Sequence, residues 1–474
     1  MKILPWVRKN PHVLIITAFF TCSFIFFTAL GLTRFYSFQV FFYDFGIFAR
    51  ILWKLAHFQA PYINHVSLGR VFFLGDHFQP SLVLLAPLFW LTNDLRVLPV
   101  EQALATTLSG VMIYLIGRKY NLSWYFSLAI TFVFLIFAGI ENPLVTDWHP
   151  ESTAGLFLLL FFYFFAFIKQ KYTPYIFAVI FLGFKESNAV TLAFLLLFFF
   201  FYLPQRRKEI LTLFGVCLVW FFLTTRLLVP SISEKPYLYT PKFAQSLPQL
   251  IATITEPAKI RLLSISTISF GFLPLIAGPA VLPVIGEYSL RLLPVEAKYD
   301  LTTLGSHYNV FLGTFLALAL LYIFHVLKKQ KNKKIFSYIL LLYVVLISLV
   351  SARKIAVSPL NLAINKVFWS ELKPNTELST LISQVPKTGS VMAQNSLLPH
   401  LIERDEELYL TTRHYQKILP DIILFDLNPE QNPNNFWSSD GQQLPSVQKR
   451  LDNDPRYRRI PTKNSLHYLY VKQK

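Results

Sequence analysis

YDFGIFARILWKLAHFQAPYINHVSLGRVFFLGDHFQP, residues 43–80, packs Asp44, Asp76, His57, His65 and His77 into one segment between two strongly apolar regions. Its first part repeats Phe45, Phe48, Ile51, Leu52 and Leu55 at helical spacing, with Arg50, Lys54 and His57 opposite. That is the pattern of an amphipathic helix lying along a membrane interface. Asp44 then sits at the headgroup boundary, either as the N-cap of that helix or as part of a site. Asp76 and His77 precede Pro80, which suits a first helical position, so they read either as cap and turn residues or as a second contribution to the same site.

The chain around this segment reads as a membrane scaffold. It has 474 residues, 54% hydrophobic, 16% aromatic and only 15% charged, with a mean hydropathy of +0.46, too apolar for a soluble protein of this length. Unpaired backbone groups are not tolerated in lipid, so the long apolar runs should be helices. Cys22 and Cys217 both fall inside apolar runs and imply neither a disulfide nor a metal cluster. The run Val13–Leu32 follows a basic start but lacks a small-residue cleavage site before Thr33, and reads as an uncleaved first span.

The net charge of +18 is explained by its placement rather than by nucleic acid. Five short segments, Lys2/Arg8/Lys9, Arg118/Lys119, Lys169/Lys171, Arg206–Lys208 and Lys328–Lys334, hold 15 basic residues and one acid, Glu209. The rest of the sequence up to Ala352 holds 13 basic and 13 acidic residues. The positive-inside rule assigns all five segments to the cytoplasm. Parity then keeps Ser81–Leu91, broken by Pro87, at the outer interface and makes spans of Val13–Leu32, Val97–Gly117, Ser123–Ile140, Thr153–Ile168, Thr173–Phe184, Asn188–Leu203 and Ile210–Val229. A hairpin, Leu262–Ala277 and Ala280–Leu292, follows, and Asn309–Leu327 and Ile335–Val350 complete the set. The expected fold is a polytopic α-helical membrane protein of about eleven membrane helices. Its outer loops would be 33–96, 141–152, 230–261 and 293–308. Residues 353–474 have the composition of a soluble domain. Strands are expected near Gly389–Ala393, Asp421–Leu427 and His467–Val471, and helices over Glu377–Val385 and Leu444–Leu451. That predicts a small extracytoplasmic α/β domain after the membrane domain 1–352.

Parity places the loop ENPLVTDWHPE, residues 141–151, on the same outer face as Asp44. If Pro150 starts a helix, Asp147 and His149 lie just before its N-terminus, where phosphate is favoured. Their spacing is not that of a tight zinc motif, and capping is the simpler alternative. Lys185 and Glu186 fall between two apolar runs, where such charges either neutralise one another or face a polar cavity. Lys185 could meet a substrate phosphate as a point charge. His307, Tyr308 and Arg291 are further candidates at the same interface.

The motifs YDFGIF, GDHFQP, DWHPE, KES and SHYN, in that order, resemble the bacterial and archaeal membrane family called domain of unknown function 2079. The likeness runs through most of residues 30–320 and continues into NSLLPHL, ELYL and DIILFDL. That family is similar in layout to the GT-C glycosyltransferases. The resemblance implies that Asp44 corresponds to the first-loop acid of those enzymes and that Asp147 or His149 corresponds to the second-loop acidic motif. DWHPE carries His149 and Pro150 where that motif has an acid pair, which weakens the expectation of a metal. The leading expectation is an inverting transferase that takes a sugar from a polyprenyl-phosphate carrier on the outer face of the cell membrane. Asp44 would be its general base, and His77, Asp147, His149, Lys185, Glu186, Arg291 and His307 would bind substrate. A divalent cation is the one cofactor these residue types suggest, and membrane lipid the one further partner. The rival readings are a transporter or flippase of a lipid-linked substrate, which favours internal repeats, and a non-catalytic lipid-binding protein.

Overall fold

A computed structural model of the chain describes residues 11–65, 67–296, 301–370, 372–411, 418–431 and 440–473. The first basic segment, Lys2/Arg8/Lys9, and part of the 293–308 loop lie outside them. Apolar runs become helices throughout: α1 (Pro11–Tyr36), α2 (Ile47–Ala56), α3 (Val97–Lys119), α4 (Trp124–Leu135), α5 (Ala138–Thr146), α6 (Glu151–Phe167), α7 (Thr173–Leu182), α8 (Asn188–Tyr202), α9 (Arg207–Leu223), α10 (Pro257–Ile268), α11 (Val281–Leu292), α12 (Asn309–Lys328) and α13 (Lys334–Val350). Among the described residues, five helical stretches are long and apolar enough to cross a membrane, and six if α4 and α5, bent by 47°, form one broken span. Shorter apolar helices, α6, α7 and α8 among them, pack around these.

The helices share a polarity. Helices α3, α6, α8 and α12 start near Glu101, Glu151, Asn188 and Asn309 and finish at or beside Lys119, Lys169, Arg206 and Lys328. These finishing ends meet. Lys328 donates to the Asn121 carbonyl, Arg206 to the Phe165 carbonyl, and the Lys119 ammonium lies 5.7 Å from the centre of the Tyr163 ring. The basic residues therefore gather at one end of the bundle and the acid- and histidine-bearing loops at the other.

Two segments depart from expectation. The hairpin expected to break at Gly278–Pro279 breaks earlier, because Gly271 and Phe272 both take left-handed backbone angles, φ +63° and +61°. Short turns, Leu273–Ile276 and Gly278–Ala280, then lead into α11. Helix α2, expected to lie along an interface with its basic side free, is buried on almost every residue. Its Arg50 donates to the carbonyls of Ile402, Arg404, Asp405 and Glu406, so the polar side is covered by protein.

That cover belongs to a five-stranded sheet formed by β3 (Val391–Ala393), β4 (Leu408–Leu410), β5 (Ile422–Asp426), β6 (Tyr457–Ile460) and β7 (His467–Lys472). The spatial order is β4-β3-β5-β7-β6, parallel across β4, β3 and β5 and antiparallel thereafter. Helices α14 (Thr376–Ser383) and α15 (Asp440–Asp452) accompany it. Strand β5 is buried along its whole length, as its apolar run IILF requires. A small hairpin, β1 (Tyr62–His65) with β2 (Gly69–Phe72), lies within residues 43–80.

Candidate functional site

Asp44 does not cap α2. It lies in the turn Phe42–Gly46 with φ +74° and ψ −83°, a conformation that costs on the order of 1–3 kcal/mol in a residue with a side chain. The turn is held from outside. The Phe42 amide donates to the Asn395 carbonyl at 2.7 Å, and the Tyr43 amide to Asn395 Oδ1 at 3.1 Å. The Phe41 amide donates to Asp147 Oδ2 at 3.3 Å. Gly46 closes it, since a Cβ there would lie 2.5 Å from the Phe42 ring.

Three loops bring ligand atoms to this turn. Asp44, His149 and His307 each offer one atom, and these atoms lie within 4.8 Å of one another. The imidazoles of His149 and His307 stack with ring centres 3.4 Å apart and planes 5° from parallel. His149 hydrogen-bonds through Nδ1 to Glu151, whose other oxygen accepts from Lys185 Nζ at 2.8 Å. Lys185 also sits 4.8 Å from the centre of the Tyr308 ring. Burial pushes both His149 and His307 well below the usual histidine range, followed by His307, Lys185 and His77 for His149 and by Lys185 and His77 for His307. Both shifts favour the neutral rings. The neutral His149 donates from Nδ1 to Glu151, which leaves Nε2 with a lone pair.

A divalent cation fits this arrangement. One carboxylate and two neutral imidazoles form a common donor set, and the carboxylate behind His149 is the usual outer partner of a metal-binding histidine. His307 Nε2 is buried with no hydrogen-bond partner among the described residues; the nearest carboxylate oxygen, of Glu151, is 3.9 Å away. A buried polar atom left this way needs a ligand or a water.

Beside this centre lies a second polar group. Glu186 does not neutralise Lys185. It accepts from His77 Nδ1 at 2.8 Å, from the Tyr237 hydroxyl at 2.6 Å and from the Phe78 amide at 3.0 Å. Burial alone would raise its carboxyl, but His77, Tyr237 and Lys185 outweigh burial and hold it at about 2. His77 stacks on Tyr239 at 4.2 Å, and the Tyr239 hydroxyl donates to Asp76 at 2.6 Å.

Two expected residues stand apart from the cluster. Asp147 spends its carboxylate on the amides of Phe41 and Trp148, and burial followed by the charge of Asp44 raises its carboxyl well above the usual range. It braces the Asp44 turn. Arg291 is paired with Glu287 at 2.8 Å and donates to the Tyr308 carbonyl, so it fixes the His307 loop from behind. Glu151, Tyr237, Tyr239 and Asn395 carry parts of the site that sequence reasoning left without a role. Glu151, inside DWHPE, and Asn395, which opens NSLLPHL, had a local signal; Tyr237 and Tyr239 had none.

A family profile described as "Predicted membrane protein (DUF2079)" matches residues 34–459. The chain belongs to the DUF2079 family. No curated protein matches it. Among solved structures, this DUF2079 protein superposes on ArnT from Cupriavidus metallidurans bound to undecaprenyl phosphate with a TM-score of 0.55 and 10% identity, over 98% of each chain. The apo form of the same protein gives 0.52 at 10% identity, over 99% of this chain and 98% of that one. This DUF2079 protein therefore shares the overall fold of ArnT.

Proposed function

We propose that this protein is a GT-C-type glycosyltransferase that takes a sugar from a polyprenyl-phosphate carrier and inverts the anomeric centre. The convergence of Asp44, His149 and His307 in one group carries the reading. Undecaprenyl phosphate bound to ArnT, whose fold this chain shares, supports the carrier class. Asp44 is the base: its carboxylate removes the acceptor hydroxyl's proton as the new glycosidic bond forms, and the carrier phosphate leaves with the electron pair of the old bond. Lys185 has three donors and spends one on Glu151, so it retains capacity for the leaving phosphate. A divalent cation held by Asp44, His149 and His307 would supply further positive charge to that phosphate. A carboxylate has two oxygens, so Asp44 can serve a cation with one and the acceptor's proton with the other. His77 and Glu186, with Tyr237 and Tyr239, form the polar wall on which the donor is oriented.

The basic ends of the bundle then face the cytoplasm and the site faces outward. The shorter helices α6, α7 and α8 cross as well, which with the α10–α11 hairpin brings the count to about eleven. Residues 353–474 form an extracytoplasmic α/β domain. The test uses full-length protein in nanodiscs and a panel of undecaprenyl-phosphate-linked hexoses and pentoses, with release of undecaprenyl phosphate as the readout. Asp44→Asn should abolish release and keep undecaprenyl-phosphate binding. Release undiminished in Asp44→Asn, or no release by the native protein from any donor, overturns the assignment.

A further inference from the structure

A cavity of about 260 Å³, lined by none of Asp44, His149 and His307, lies where the end of α1 meets the sheet. Phe38 and Gln39 line it from the α1 side, Glu377 from α14, and Asp426, Glu430 and His467 from the sheet side. The topology places it at a privileged spot. Strand β3 leads to β4 on one side of it, whereas β5 leads away to β6 and β7 on the other, so the carboxyl ends of β3 and β5 flank the switch point at which open α/β sheets bind ligands. Asp426 is the last residue of β5, and its amide donates to the side chain of Gln394, which follows β3, at 2.6 Å.

The lining selects the chemistry. Asp426 and His467 are each only 4% exposed; Asp426 Oδ1 accepts from the Asn428 amide at 2.7 Å, and His467 Nε2 stands 3.7 Å from that oxygen, beyond hydrogen-bond reach. A hydroxyl placed in the cavity to one side of this pair can hydrogen-bond to both groups at once. Glu377 and Glu430 add two carboxylates, Gln39 adds an amide, and among the described residues no lysine or arginine lines the cavity. Phosphates and other anions are therefore repelled. A cation centre is not formed either: among the described residues, the acids of this cavity do not converge as Asp44, His149 and His307 do. Carboxylates, amides and one phenyl ring around a space near the lower end of ligand-pocket volumes suit a molecule with many hydroxyls and no negative charge.

We propose that this cavity binds a saccharide, neutral or amino-bearing, and holds the acceptor glycan while the Asp44 cluster handles the donor. The acceptor role rests on the transferase reading; saccharide binding does not. Asp426 and His467 take the hydroxyls of one sugar unit, and Glu377 and Glu430 receive hydroxyl or ammonium donors at the rim.

The experiment is saturation-transfer NMR and calorimetry on full-length protein in nanodiscs. The probes are glucose, galactose, mannose, arabinose, N-acetylglucosamine and galactosamine, each with and without EDTA. At least one should bind, independently of EDTA, and Asp426→Asn should weaken it about tenfold or more. The exposed-side substitutions Glu377→Gln and Glu430→Gln, which leave the sheet intact, should each weaken the same sugar. Binding should persist in Asp44→Asn, so failure of the cavity and failure of the transferase reading are told apart. The proposal is overturned if no sugar in the panel binds, if binding survives the Glu377→Gln/Glu430→Gln double variant, if it is lost in Asp44→Asn alone, or if a divalent cation displaces the sugar from this site.

Discussion

At the scale of single residues, burial decides what each ionisable group can do. Glu186 sits at about 2 instead of 4.5 because His77, Tyr237 and Lys185 favour its charged form more than burial opposes it. A carboxyl depressed on folding contributes stability that is complete above the unfolded value and is lost as pH falls through the folded one. Wild-type protein should therefore lose about 3 kcal/mol from this group between pH 4.5 and pH 2. Glu186→Gln should be less stable at neutral pH and should lack that acid limb, as thermal unfolding in nanodiscs across the pH range will reveal. A flat wild-type profile sinks the account. The histidines make a different prediction. His149→Gln and His307→Gln should each remove one equivalent of tightly held zinc or manganese, counted by elemental analysis after EDTA stripping and reloading, because two ligands rarely hold what three do. Sequence reasoning reached Asp44, His149, His307 and Lys185 as residue types worth watching, since charge at a membrane boundary is conspicuous. It could not see that Asp44, His149 and His307 meet, because they come from three separate loops and no spacing links them.

At the scale of elements, the Asp44 turn depends on a partner 352 residues away in sequence, Asn395. The helices were readable because apolar runs of sufficient length have few alternatives in lipid. The π-like turn ahead of α2 was not, because its left-handed Asp44 gains nothing from local sequence and is held by hydrogen bonds to Asn395 and Asp147. Helix α2 misled for the same reason: an amphipathic pattern says that one side is polar, not whether water or the carbonyls of residues 402–406 will meet it. This dependence is open to measurement. Asn395→Leu leaves the Tyr43 amide without its acceptor and lets Asp44 relax from its strained angles, whereas Asn395→Asp keeps an acceptor oxygen in place. Turnover should fall on the order of 10–100-fold in the first and recover largely in the second. Undecaprenyl-phosphate affinity should stay near wild type in both. Equal loss of turnover and of carrier binding would mean that Asn395 only supports the fold.

At the scale of the whole molecule, the distribution of charge should fix which way the protein faces. The bundle gathers Lys119, Lys169, Arg206 and Lys328 at one end and the Asp44 loops at the other. That separation gives the positive-inside rule a direction to act on, since 15 basic residues against one acid lie in five short segments flanking the apolar runs. Translocating such segments is unfavourable, so the basic end should stay in the cytoplasm and the sheet, packed on the Asp44 side through Arg50 and Asn395, should lie outside. The check is single-cysteine labelling after Cys22→Ser and Cys217→Ser. Asn453→Cys, exposed beyond α15, should react with a membrane-impermeant maleimide in intact spheroplasts. Lys208→Cys and Lys329→Cys, exposed at the basic end, should react only after permeabilisation. The reverse pattern would place Asp44 in the cytoplasm, where soluble activated sugars are available and a lipid carrier is no longer needed to bring the donor. Labelling of all three from one side would break the polarity of the bundle itself, and with it the reason for grouping the acidic and histidine loops into a single outward-facing site.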